Sequence, residues 1–136
     1  DALENMKAKG TRYKVTQVDG WYDCGNKNAT VDTNKEILKI KEDQAIVSPE
    51  AEITDSKVIG PCYIGKGAKI KNSQIGPYVS VGNGTIIEGS EISKSIIYSN
   101  SHVKDSKLDN SMIGNHVTYH IPEKKEVSVG DYSQIV

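Results

Sequence analysis

CYIGKGAKIKNSQIGPYVSVGNGTIIEGSEIS, running from Cys62 to Ser93, carries an aliphatic residue every five or six positions: Ile64, Ile70, Ile75, Val81, Ile87 and Ile92. Two residues before each stands a short side chain: Cys62, Ala68, Ser73, Val79, Thr85 and Ser90. A spacing of two is the strand period, so each pair points to one side of a short strand. The rhythm extends back to Val47 and on to Tyr119. Taken in threes, it returns every 16 or 17 residues, as in Val47, Ile64, Val81, Ile97 and Ile113. Hexapeptide repetition of this kind predicts a parallel β-helix of about four to five coils, each a triangle of short strands with one aliphatic ladder per face. Ser56, Ser73, Ser90 and Ser106 recur at steps of 17, 17 and 16 residues and should stack as a hydroxyl ladder. Gly65-Lys66-Gly67 and Gly82-Asn83-Gly84 fall at the same place in successive coils, where a corner requires positive φ. They read as turns rather than as phosphate cradles.

Composition agrees with a narrow interior. In 136 residues Phe is absent and Trp occurs once, unusual for a globular core. The net charge of −1 gives no basic patch for nucleic acid and no acidic tail. No apolar run reaches membrane-spanning length and no secretory signal opens the chain. Cys24 and Cys62 do not make a disulfide framework, and Cys62 takes a small inward position, so a reducing cytoplasm is expected.

Before the ladder, DALENMKAK reads as the end of a helix, with Gly10 placed for a left-handed stop. Thr11–Val18 has the composition of a strand. Lys27 to Lys41 has a helical pattern that Asn26 or Asn28 could cap. These elements hold too few apolar residues for a core of their own. They are expected to be a cap on the first coil, the tail of a larger domain, or both, with the chain beginning inside a structure. The domains are therefore placed at 1–41 and 42–136. The helix at 27–41 is the natural lid for the first coil, since solenoid ends need cover. Beyond Tyr119, His120-Ile121-Pro122 breaks the rhythm. Val127–Val129 should then fold back as a terminal strand or cap, with Tyr132 packed on the last coil.

Gly20-Trp21-Tyr22-Asp23-Cys24-Gly25, followed by a helix containing Thr33-Asn34 and Ile37-Leu38, resembles the W-x-D-x-G segment near the end of the catalytic domain of sugar-phosphate nucleotidyltransferases, glucose-1-phosphate thymidylyltransferase-like members included. In many of that family a left-handed parallel β-helix comes next. Motif, helix and hexapeptide ladder stand here in the same order and take up essentially the whole chain. The resemblance implies a mainly β fold, with a left-handed β-helix preceded by a small α/β remnant of the catalytic domain.

It also implies chemistry. The family condenses a sugar 1-phosphate with a nucleoside triphosphate and releases pyrophosphate, assisted by Mg²⁺, and the Asp of W-x-D-x-G is a metal ligand in its thymidylyl- and uridylyl-transferring members. By that match Asp23 would ligate Mg²⁺, a hard cation that takes carboxylate oxygen and keeps waters and phosphates as its other ligands. Read without the resemblance, Asp23 is a turn residue bonding its own backbone. Trp21 is expected to pack beneath the loop. The family's G-x-G-T-R nucleotide loop has no counterpart in the chain, so the isolated polypeptide is expected to be inactive, with no catalytic or nucleotide-contacting residue of its own. A rival reading is a hexapeptide acyltransferase with His102, His116 or His120 as general base. A third is a purely structural module that forms a homo-oligomer through the β-helix, with Tyr63, Tyr78 and Tyr98 among its outward residues.

Overall fold

The computed structural model describes residues 1–41 and 45–136. The boundary drawn between 41 and 42 falls at residues 42–44, outside the described residues.

Among the described residues seventeen short strands form three parallel sheets, one per face of a triangular coil. Face one contains β1 (Ala45–Val47), β4 (Cys62–Ile64), β7 (Val79–Val81), β10 (Ser95–Ile97), β13 (Met112–Ile113) and β16 (Ser128–Val129). Face two contains β2 (Glu52–Thr54), β5 (Lys69–Lys71), β8 (Ile86–Glu88), β11 (His102–Lys104), β14 (Thr118–Tyr119) and β17 (Gln134–Ile135). Face three contains β3 (Lys57–Val58), β6 (Gln74–Ile75), β9 (Glu91–Ser93), β12 (Lys107–Asp109) and β15 (Lys124–Lys125). The expected mainly β solenoid is found, consistent with the left-handed β-helix the resemblance implied.

The pairing register brings each aliphatic ladder into line. On face one Val47, Ile64, Val81, Ile97, Ile113 and Val129 are successive partners. On face two the series is Ile53, Ile70, Ile87, Val103, Tyr119 and Ile135. From Ile64 to Tyr119 every ladder residue is buried. Parallel strands bury their inward side chains well when each coil stacks directly on the last, and a one-residue slip would turn the ladder outward. In the first coil Val47 and Ile53 are each 38% exposed, because no coil precedes them to cover their outer side.

The serine column is satisfied from within. Each hydroxyl donates to the carbonyl two residues before it and accepts the amide of the next coil. Ser73 Oγ donates to the Lys71 carbonyl at 2.7 Å and accepts the Ser90 amide at 3.0 Å. Ser90 Oγ donates to the Glu88 carbonyl at 2.8 Å and accepts the Ser106 amide at 3.1 Å. The corner amides, which the short strands leave without a ladder partner, are thereby paired. Two kinds of glycine make the other corners possible. Gly67 and Gly84 adopt φ of +66°, and the corner column continues through Asn100, His116 and Tyr132, all at positive φ. Gly82 has an ordinary φ but lies against the coil above, where an added Cβ would stand 2.6 Å from the Ser99 amide nitrogen.

Three expectations need correction. Thr11–Val18 forms no strand: the segment is exposed throughout and no neighbouring strand offers it a ladder. The remnant is therefore two helices, α1 (Ala2–Ala8) and α2 (Lys27–Lys41), joined by irregular chain. Second, α2 has the expected bounds but is not an end lid. It lies along face one, against β7 and β10, and buries Val31 and Leu38 there. Polar contacts from Asp32 to Lys94 and from Asn34 to Ser80 hold it on that face. Third, the tail forms the strand expected at Val127–Val129, as β16, but does not fold back. β15, β16 and β17 pair parallel to β12, β13 and β14 and continue the coil. The aliphatic rhythm ended early because Lys125 occupies the face-three position that aligns with Leu108. Tyr132 is 77% exposed at a corner, stacked on the His116 ring with centroids 4.9 Å apart and planes within 6°.

Candidate functional site

Among residues 1–26 none is buried, so the position of the Asp23 loop depends on hydrogen bonds rather than on packing. The Asp23 carboxylate closes a local turn, its Oδ1 accepting the Gly25 amide at 2.9 Å. The chain then passes directly into α2. Asn26 Oδ1 accepts the Ala29 amide at 3.0 Å, so Asn26 is the cap and Asn28 is not. Two threonines of the helix reach back to the loop. Thr30 Oγ1 donates to the Asn26 carbonyl at 2.8 Å, with the Cys24 carbonyl at 3.2 Å, and Thr33 Oγ1 donates to the Asp23 carbonyl at 2.7 Å. The loop thus adopts a defined path although almost nothing packs on it.

The outcome is an open groove lined by Trp21, Tyr22, Asp23, Asp32, Thr33 and Glu36. Trp21 does not pack beneath the loop as expected; it is 87% exposed, because the irregular chain before it offers no apolar bed. Asp32 pairs with the β-helix. The hydrogen bond from Lys94 on the β-helix, 2.9 Å away, lowers its carboxyl below the usual value, helped by the charges of Lys94, Lys35 and Lys27.

Among the described residues no group of three or more His, Cys, Asp or Glu side chains is arranged to hold a metal. Asp23 is nonetheless suited to be one ligand of several. Its carboxylate is exposed, and among the described residues only Oδ1 is engaged. A single hard oxygen matches a cation that completes its shell with waters and phosphates.

The three histidines go to separate partners. His102 Nε2 lies 2.9 Å from Glu88 Oε2 on the outer side of face two. His120 Nε2 lies 3.6 Å from Asp105 Oδ2, and His116 stacks on Tyr132. Sequence reasoning missed the His102–Glu88 pair, which the ladder register implies: His102 aligns with Ile86, whose strand carries Glu88. It also missed Thr30 and Thr33, whose only signal is a hydroxyl on the early turns of a helix that directly follows the motif.

Two curated proteins resemble the chain over nearly all of its length. Both are named glucose-1-phosphate thymidylyltransferase, one from Streptomyces griseus at 27% identity and one from Streptomyces antibioticus at 28%. Each alignment takes in 98% of this chain and 43% of the relative. No protein-family model matches. The chain therefore spans less than half the length of these relatives, and no helix among the described residues is long and apolar enough to cross a membrane. Across that span the chain is similar to the C-terminal part of glucose-1-phosphate thymidylyltransferases, as the motif, the helix and the ladder together implied.

Proposed function

We propose that this chain is the C-terminal segment of a cytoplasmic sugar-1-phosphate nucleotidyltransferase, an enzyme joining a sugar 1-phosphate to a nucleoside triphosphate with release of pyrophosphate. The observation that carries the reading is the similarity to two thymidylyltransferases along 98% of the chain, with Asp23 of the W-x-D-x-G segment on an exposed turn at the head of α2. Mg²⁺, when bound, would neutralise phosphate charge and help align the attacking and leaving oxygens. Asp23 would hold it through one carboxylate oxygen, while the Gly25 amide on Oδ1 and the Thr33 hydroxyl on the backbone fix the direction of the side chain. The β-helix supplies no nucleotide loop and serves assembly. Tyr63, Ile96 and Tyr98 line an open groove on face one that would suit a homo-oligomer contact.

The test is pyrophosphate release from thymidine triphosphate and glucose 1-phosphate by the full-length protein. It should be present in the full-length protein, absent from this chain alone, and nearly abolished by Asp23→Asn. Turnover by the isolated chain, or an Asp23→Asn protein of normal rate, would overturn the reading. One observation favours a second reading: Glu88 orients His102 as a general base would be oriented. Measurable acetyl-coenzyme A affinity, lost in His102→Ala, would favour the acyltransferase instead.

A further inference from the structure

Three consecutive residues of α2 make three different attachments. Successive helical positions diverge by about 100°, so neighbours can touch separate structures at once. Asp32 Oδ1 meets Lys94 Nζ at 2.9 Å, and Asn34 Oδ1 accepts the Ser80 hydroxyl at 2.6 Å. Both partners belong to the β-helix. Thr33, between them, faces the other way and donates to the Asp23 carbonyl at 2.7 Å. Nearer the head of the helix, Lys27 Nζ donates to the Asn110 carbonyl at 2.7 Å and pairs with Glu126. Val31 is wholly buried. Rolling or sliding α2 would break several of these contacts together.

We propose that Thr33 is a positioning residue for Asp23, and that the β-helix fixes α2 through Lys94 and Ser80 so that the Asp23 carboxylate projects in one direction. This rests on the reading of Asp23 as a metal ligand. An unattached loop would sample many directions, and a carboxylate that must meet a cation and a phosphate in one geometry loses by that freedom. The β-helix thereby acts on Asp23 without touching it.

The experiment uses the full-length protein and Mn²⁺ as the probe, with affinity read from the electron paramagnetic resonance of free Mn²⁺. Asp23→Asn sets the scale of losing the ligand. Thr33→Val, which keeps the shape and removes the donor, should raise the Mn²⁺ dissociation constant about three- to tenfold, the range of one lost hydrogen bond. It should lower kcat more than it raises KM for the sugar phosphate. Thr33→Ser should restore both. Lys94→Met and Ser80→Ala should move affinity in the same direction by less. Should the valine variant fail to fold, Thr33→Ala removes the same donor. If Asp23→Asn weakens Mn²⁺ binding but Thr33→Val and Thr33→Ala do not, the positioning role is wrong and the metal reading stands. If Asp23→Asn leaves Mn²⁺ affinity unchanged, the metal reading falls and the proposal with it. Normal affinity in both Lys94→Met and Ser80→Ala would refute the part assigned to the β-helix.

Discussion

Replacing Ser90 by alanine isolates what the hydroxyl column contributes. Ser90 Oγ accepts the Ser106 amide, and Ser106 is 1% exposed, so water has no ready way to replace the lost acceptor. On the donor side little is lost, since the Glu88 carbonyl also accepts the Asp105 amide at 2.9 Å. The cost is thus essentially that of one orphaned buried amide, about 1–3 kcal/mol. Ser90→Ala should lower the unfolding free energy by that amount in urea titration followed by circular dichroism. Two comparisons sharpen it. Ser128→Ala, on an exposed outward position, should stay within about 0.5 kcal/mol of the parent chain. Ser56→Ala also removes an acceptor, for the Ser73 amide, but beside the half-open first coil. Water can reach there, so its cost should fall between the other two. Equal stability of Ser90→Ala and Ser128→Ala would refute the column as a stabilising device.

Gly82→Ala should destabilise more than Gly67→Ala. The first drives a Cβ onto the Ser99 backbone, whereas the second meets open space and costs about 1 kcal/mol for its positive φ; urea midpoints give the order. Acid should loosen α2 before it unravels the coils. Asp32 is held low first by its Lys94 hydrogen bond, and Glu126 first by its Lys27 hydrogen bond. A depressed carboxyl stabilises above its unfolded value and loses that contribution as pH falls through its folded one. Amide exchange at Val31 should therefore accelerate as pH drops below the usual carboxylate range, once corrected for intrinsic rates, and Asp32→Asn should remove part of the effect. Burial pushes the Cys62 thiol up to about 11, whereas Cys24 is exposed. A thiol reagent at pH 8 should modify one cysteine in the folded chain and two in urea.

What could be read directly was whatever depends on neighbours along a periodic chain. The inward positions from Ile64 to Tyr119 follow from a spacing of two within strands and of 16 or 17 between coils, because each coil meets only the next. The bounds of α2 and its Asn cap are likewise local. Legibility stopped where placement depends on surfaces far apart in sequence. Nothing in Lys27–Lys41 says that it lies along a face rather than over an end; Ser80, Lys94 and Asn110 decide that. Lys125 hid the last coil by breaking the aliphatic rule at the position that aligns with Leu108. Thr11–Val18 has strand composition but no strand to pair with, and propensity alone does not supply a ladder. For the candidate site, the motif placed Asp23 on a turn. Its attachment through Thr33 needed the fold.

The path of α2 changes how this rod should come apart. A stack whose layers touch only their neighbours can peel from either end one layer at a time. Here a single helix touches Ser80 in β7, Lys94 just before β10, and Asn110 and Glu126 in the loops before β13 and β16. Peeling the last coil takes Glu126 away from Lys27 and leaves the first turn of α2, the turn that follows Asp23, held at that side by Asn110. The coil that carries Glu126 and the loop bearing the candidate ligand are therefore linked through one helix, and loss of that coil should weaken the attachment next to the loop.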